Sequence, residues 1–273
     1  MIDWSQQTRE FITTRDGCRL AYRYDGPEDA PVVMLGHSLG CSLEMWAPQI
    51  AGLAVRYRVL RYDLRGHGQS DAPLGAYSLD RLGRDVVELL EALDIDRVHF
   101  CGLSLGGMIG QWLGARAPDR LASLALCNTS AFMGPPADWD ARITTVSANG
   151  TAAVAEAVTQ RWFTPHFLTD HPNRVAPVRA MIEATSGGGY AGCSAAIRDM
   201  DLRPTAPLIV ARTLIIAGKH DPATPPAHAQ FLHDGIPGAS LVMLDGAHLS
   251  NVECGTAFVT ALLSFLGNSG EEL

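Results

Sequence analysis

Residues 98–108, VHFCGLSLGGM, run an apolar strand-like segment into Gly102-Leu103-Ser104-Leu105-Gly106 and straight on into a helical pattern. A serine at the apex of so tight a strand–turn–helix connection has a strained backbone and an exposed hydroxyl. Glycine two positions before and two after it is then a steric demand, because any Cβ there would clash as the chain doubles back. The turn also puts Ser104 at a helix N-terminus, where the Leu105 N–H and the positive end of the helix dipole can meet a developing oxyanion. The chemistry this suits is nucleophilic attack on an acyl carbon.

The same glycine spacing recurs in Gly36-His37-Ser38-Leu39-Gly40. That string also follows an apolar run, residues 32–35, but leads into Cys41-Ser42-Leu43-Glu44 with no amphipathic helix directly behind it. It is read as the loop that supplies a second oxyanion N–H from the Ser38 backbone, and the strand–turn–helix context favours Ser104 as nucleophile. A serine hydroxyl needs a base, which histidine supplies best near neutral pH. Among nine histidines, His248 stands four residues past the last apolar run, in Leu244-Asp245-Gly246-Ala247-His248, where catalytic groups collect at the carboxyl edge of a sheet. Asp221, reached from residues 213–217 through Gly218-Lys219-His220, is placed to orient it. Asp245 reads as a solvated turn residue, and Cys127-Asn128-Thr129 offers no carboxylate. His67, in Asp63-Leu64-Arg65-Gly66-His67-Gly68, and His37 read as loop organisers. His99, His166, His171, His220, His228 and His233 read as surface or internally satisfied residues.

Strand-like runs at 9–14, 18–24, 32–35, 57–61, 98–101, 123–127, 213–217 and 240–244 must position these groups. From residue 32 on, most are continuously apolar, as strands covered on both faces of a parallel sheet are, whereas the first two alternate and suit an antiparallel edge. Residues 78–93 carry Leu79, Leu82, Val86, Leu89, Leu90 and Leu93 at helical spacing, and 256–266 repeat the pattern. Met108, Ile109, Trp112 and Leu113 predict an inward stripe on the helix after Ser104. Strand alternating with helix defines an α/β fold. Residues 131–205 break the alternation with helix-like stretches punctuated by Gly134-Pro135-Pro136, Gly150, Pro165, Pro172 and Gly187-Gly188-Gly189. About seventy residues there require structure of their own. They are read as a helical cap inserted into a core made of 1–130 and 206–273, and residues 268–273 as a frayed tail.

With 21 Lys and Arg against 29 Asp and Glu, the 273-residue chain carries a formal charge of −8. That leaves no electrostatic footprint for nucleic acid or anionic lipid, and no apolar run reaches the length of a bilayer span. Residues 1–10 lack the layout of an export signal. Six cysteines without a Cys-x-x-Cys pair suit a reduced, cytoplasmic interior. No His-x-x-x-His or His-x-His pair appears, so neither a metal nor a cofactor is expected.

The Ser104, Asp221 and His248 segments, with Asp63 to Ser70, resemble the α/β-hydrolases over the whole chain, including their Ser…Asp…His order. Met45-Trp46-Ala47-Pro48-Gln49, Leu60-Arg61-Tyr62-Asp63, Cys127-Asn128-Thr129, Arg161-Trp162-Phe163-Thr164, Gly189-Tyr190-Ala191-Gly192-Cys193 and Ala196-Ile197-Arg198-Asp199-Met200-Asp201-Leu202 resemble the 3-oxoadipate enol-lactonases. Where that family commonly has Asn-Ser-Leu-Gly, this chain has His37-Ser38-Leu39-Gly40. The resemblance implies an eight-stranded, mostly parallel sheet and hydrolysis of a small ester or lactone through an acyl-enzyme. It also implies local attraction for a substrate carboxylate, with Arg142, Arg161 and Arg198 as candidates and Trp139 and Trp162 as ring-packing walls. A carboxylesterase or another lactonase, such as one for acyl-homoserine lactones, would use the same groups. So would a perhydrolase or a C–C hydrolase, and a non-catalytic small-molecule receptor keeps them without turnover. Dehalogenases and epoxide hydrolases carry aspartate where Ser104 stands.

Overall fold

The short apolar runs become eight strands in the computed structural model, which describes residues 9–267. The tail at 268–273 and residues 1–8 of the segment read for an export signal lie outside the described residues. Strands β1 (Glu10–Thr13), β2 (Arg19–Asp25), β3 (Val32–Gly36), β4 (Arg58–Tyr62), β5 (Val98–Leu103), β6 (Leu121–Cys127), β7 (Thr213–Gly218) and β8 (Ser240–Leu244) form one sheet in the order β1-β2-β4-β3-β5-β6-β7-β8. β1 pairs antiparallel with β2, and β2 antiparallel with β4. The remaining pairings are parallel. β5 and β7 are buried along their whole length, which is why they carry no polar alternation.

Helices α1 (Ala47–Leu53), α2 (Leu79–Ala92) and α3 (Leu105–Arg116) precede β6. Between β6 and β7 come α4 (Pro136–Asn149), α5 (Ala152–Trp162), α6 (Pro165–Asp170), α7 (Pro172–Ala184) and α8 (Gly187–Asp199). Helices α9 (Pro226–Gly235), α10 (Ser250–Glu253) and α11 (Gly255–Gly267) follow β7. Successive side chains along the strands point to opposite faces and feed two apolar clusters: Met34 and Phe100 join Val86, Leu89, Ile109 and Leu232 on one face, while Val33, Leu35 and Cys101 join Ile50, Phe258 and Leu262 on the other. The Ser78 hydroxyl caps α2 by accepting the Arg81 N–H at 3.1 Å, which satisfies one of the orphan donors at that helix start.

Two details depart from the sequence reading. α3 is buried on nearly every side and not along one stripe; Trp112, placed in that stripe, is only half-buried. A helix at the centre of the sheet is covered by β-strands beneath and by α2 and the 3₁₀ turn at Arg203–Leu208 around it. The stretch between β6 and β7 also contains one isolated bridge, Phe132 to Asp201. With the Leu202 N–H donating to Ala131 O at 2.8 Å, it clamps the two ends of that stretch together.

Candidate active site

Because β3, β5, β6, β7 and β8 run parallel, the loops that follow them open on one edge of the sheet. The register sets Gly36 beside Gly102, Leu103 beside Cys127, and Gly218 beside Leu244. His37, Ser104, Asn128, Asp221 and His248 all lie within a few residues of those strand ends. The turn at Ser104 has φ 57° and ψ −115°, a conformation that costs a non-glycine residue free energy and persists only when its surroundings hold it. They do: Ser104 N–H donates to Cys127 O at 2.9 Å, and Ser104 O accepts from Thr129 Oγ1 at 2.7 Å. A Cβ on Gly102 would run into the backbone of Gly106, and one on Gly106 into the backbone of Gly36, so both glycines are sterically required.

His248 is 2% exposed and Asp221 3%. The imidazole Nδ1–H donates to Asp221 Oδ2 at 2.8 Å, which leaves the Nε2 lone pair free in the neutral tautomer. Asp221 is held by four further bonds: Asn128 Nδ2 at 3.0 Å and Thr224 Oγ1 at 2.7 Å reach Oδ2, and the Ala223 and Thr224 N–H groups reach Oδ1 at 2.7 and 2.9 Å. Burial works to raise its pKa, but the charge and hydrogen bond of His248, the Asn128 amide and the Thr224 N–H outweigh that and bring it down to about 2. The carboxylate therefore stays ionised and can stabilise a positive imidazole. Among the described residues the Ser104 hydroxyl makes no hydrogen bond to His248; the two line one cavity. Such bonds are often long without substrate and tighten in the complex.

The loop after β3 faces the same cavity through Ser38 and Leu39. His37 O accepts the Gly106 N–H at 3.1 Å, and in a trans peptide the N–H of the next residue points the opposite way. The Ser38 N–H is thereby turned away from α3, and the Leu105 N–H is free as the first residue of that helix. His37 and His67 act as the loop's fasteners, as their sequence context suggested. His37 Nε2 accepts the Leu64 N–H at 3.0 Å and Nδ1–H donates to Ser38 O at 2.8 Å. His67 Nε2 accepts the Gly40 N–H at 2.9 Å.

The cavity measures about 220 Å³. Trp139, Arg142, Arg161 and Trp162 all line it. Arg142 stands 4.9 Å from the Trp139 ring centroid, and Trp139 Nε1–H donates to Met133 O at 2.7 Å. The buried Trp162 ring lies 5.8 Å from the imidazole of His248. Neither Arg142 nor Arg161 makes an ion pair among the described residues. Arg198 is not brought to the cavity: its guanidinium is tied to Asp140 at 2.8 Å and to Asp199 at 2.7 Å. The adjacent acid, Asp199, was the sequence signal for that. His228, read as a surface or satisfied histidine, instead lines the cavity, half-buried, with Nδ1 unpartnered among the described residues. Asn128, Thr224 and Tyr190 also belong to the site, and sequence reasoning gave them no role.

These features define an enzyme class. The chain matches the family model described as alpha/beta hydrolase fold over residues 31–253 and belongs to that family. It is 40% identical over 250 residues to 3-oxoadipate enol-lactonase 2 of Acinetobacter baylyi, covering 92% of this chain and 93% of the relative. It superposes on the enol-lactonase of Burkholderia xenovorans with a TM-score of 0.93 at 43% identity, covering 95% and 100% of the two chains. A hydrolase from Pseudomonas aeruginosa gives 0.93 at 47% identity, covering 96% and 99%. Fold and relatives together identify a carboxylic ester hydrolase.

Proposed function

We propose that the protein hydrolyses 3-oxoadipate enol-lactone, with Ser104 as nucleophile, His248 as base, Asp221 as its orienting acid, and the N–H groups of Ser38 and Leu105 as the oxyanion hole. Ser104 Oγ gives its proton to His248 Nε2 and attacks the lactone carbonyl. The tetrahedral oxyanion collapses, breaking the ring C–O bond; His248 Nε2–H gives its proton to the departing enolate, which tautomerises to the ketone, and the imidazole is again a neutral base. Water, deprotonated by His248, then attacks the acyl-Ser104 ester and releases the free acid. Residues 131–205 act as a cap that selects the substrate, and six free thiols favour a reducing, cytoplasmic setting for the reaction.

The observation that carries the substrate is the pair of guanidiniums, Arg142 and Arg161, that line the cavity without carboxylate partners in a protein of net charge −8. Asp138 is a carboxylate on the same lining but forms an ion pair with neither among the described residues, so two guanidiniums against one acid leave the cavity a net positive charge that suits an anionic substrate. The small cavity supports the same reading, since drug-sized or long-chain ligands need about 300–1,000 Å³. The test is steady-state kinetics on the enol-lactone and on neutral p-nitrophenyl acetate. Arg142→Gln should raise KM for the lactone about tenfold or more, the worth of a charge-assisted hydrogen bond, and leave the neutral ester unchanged. Equal losses on both substrates would remove the anion argument, and a preference for the neutral ester in the wild-type protein would favour a carboxylesterase. Ser104→Ala should stay folded and be inactive on both.

A further inference from the structure

Asn128 follows β6 directly, is 1% exposed, and holds a backbone φ of 41°, in the left-handed region that Asn tolerates best among residues with a side chain. Its amide joins three segments. Nδ2 donates to Asp221 Oδ2 at 3.0 Å in the loop after β7 and to Ala247 O at 3.1 Å in the loop after β8. Oδ1 accepts the Ser250 hydroxyl at 2.5 Å, at the start of α10. The amide cannot be turned over, because Oδ1 would then face a carboxylate and a carbonyl, oxygen against oxygen. Its backbone is pinned too, the Asn128 N–H donating to Ile216 O at 2.8 Å.

We infer that Asn128 is a positioning residue: it fixes the Asp221 carboxylate and the His248 loop relative to each other, so that imidazole and acid stay aligned while Ser104 is acylated and deacylated. Asp221 retains Thr224 and Ala223 as partners without it, so Asn128 is not needed to keep that carboxylate charged. Thr224 Oγ1 also meets both partners, at 2.7 Å from Asp221 Oδ2 and 3.3 Å from His248 Nδ1, but it reaches only the imidazole; Asn128 ties Asp221 to the backbone that carries it, since the bond to Ala247 O lies one residue from the imidazole and the bond to Ser250 two residues beyond it. A donor is required on the Asp221 side. A carboxylate at position 128 keeps the shape and reverses that, setting a second negative charge against Asp221 and next to the imidazole.

This inference rests on the triad proposed above, and the experiment separates the two. Asn128→Asp is isosteric and accepts the same backbone conformation, so it is the primary variant; Asn128→Ala and Ser250→Ala accompany it. All are assayed on the enol-lactone from pH 5.5 to 9, with Ser104→Ala as control and thermal melting as the measure of folding. Expected for Asn128→Asp is a kcat lowered by about tenfold to a hundredfold, the range for a lost hydrogen bond to a charged group. KM should stay within about twofold, and the acid limb of kcat/KM should move to higher pH because the added negative charge favours the imidazolium. Asn128→Ala should lower kcat without that displacement of the limb. Unchanged kcat and pH profiles in both Asn128 variants, beside an inactive Ser104→Ala, would overturn the positioning role and leave the triad standing. Losses that merely track the unfolded fraction would overturn it equally. An active Ser104→Ala would remove the triad reading and this inference with it.

Discussion

Acidification from pH 7 to pH 5 should weaken the fold sharply, and the two fastening histidines set the size of the effect. Both rings are fully buried with centroids 5.3 Å apart. In each, Nε2 already accepts a backbone N–H, from Leu64 or Gly40, and Nδ1–H already donates to Ser38 O or Arg65 O. A further proton has only Nε2 to occupy, where it breaks an N–H bond and creates a buried charge. Burial takes the His37 pKa down to about 4, and burial with the neighbouring His37 takes that of His67 to about 3. The unfolded chain titrates both near about 6.5. Depressed native values mean that the stability is fully present above about pH 6.5 and is lost as pH falls toward 4 and 3, because the unfolded state binds protons that the native state refuses.

Between pH 6 and pH 5 the unfolded chain holds close to two extra protons at these sites, which removes about 2 kcal/mol. That is a large share of the roughly 5–15 kcal/mol of a typical domain. The assay is urea unfolding at half-unit intervals of pH, reading the midpoint at constant slope. Gln at position 67 or 37 offers an acceptor to the same N–H and does not titrate. His67→Gln and His37→Gln should each lose stability at pH 7.5 yet show about half the pH dependence, and the double variant only the smaller dependence left to groups such as the half-buried His228, whose pKa burial also lowers. Asp221, with its lowered pKa, contributes stability present above about pH 4 and lost only below that, so it does not confound the measurement. A wild-type midpoint flat between pH 7 and 5, or an unaltered slope in the double variant, would refute the reasoning.

Ser38 is proposed to act through its N–H, and its hydroxyl is buried without a partner among the described residues. Ser38→Ala should therefore keep kcat within about twofold, while Ser38→Pro should lower it by about 10²–10³, the cost of one oxyanion donor; steady-state kinetics with active-site titration distinguishes them, and a large loss in Ser38→Ala would assign the role to the hydroxyl. Gly102→Ala drives a Cβ into the Gly106 backbone and should cost about 3 kcal/mol. Calorimetry should show a melting temperature lowered by about 5–10 °C, and a change of less than about 2 °C would show that the turn can relax.

How far the sequence carries depends on how local the cause is. β5 and β7 were legible because burial on both faces demands unbroken apolar runs, and α2 because Leu79, Leu82, Val86 and Leu89 repeat at helical spacing behind the Ser78 cap. The turn at Ser104 was legible because its glycines answer a steric demand within five residues. α3 was misread as one-sided, since a central helix is covered from directions that its own sequence does not encode. Asn128, Thr224 and Ser250 gained roles only when the ends of β6, β7 and β8 came together. Their residue types, ordinary turn formers, carry no signal alone. Arg142 and Arg198 were equivalent on paper; the presence of Asp140 and Asp199 beside Arg198 separates them.

The segment between β6 and β7 is fastened to the His248 loop and does not merely lie over it. Trp162 O accepts the Leu249 N–H at 3.1 Å. Glu253 accepts the Ala247 N–H at 2.9 Å with Oε2 and binds the Thr164 hydroxyl through Oε1, and Arg174 donates to Val252 O. The residues on either side of His248 are thus held by α5, α7 and the start of α6, while the imidazole itself faces the Trp162 ring. On the opposite side, Tyr77 N–H donates to Gly192 O at 3.0 Å and joins α8 to the core. α4, which carries Trp139 and Arg142, buries only Val146 and packs chiefly on α8. Substrate contacts on α4 can therefore vary without disturbing the imidazole, whereas changes on α5 at Trp162 act on both. Under the proposed mechanism, α4 is where a new specificity arises with kcat intact, and α5 is where KM and kcat move together.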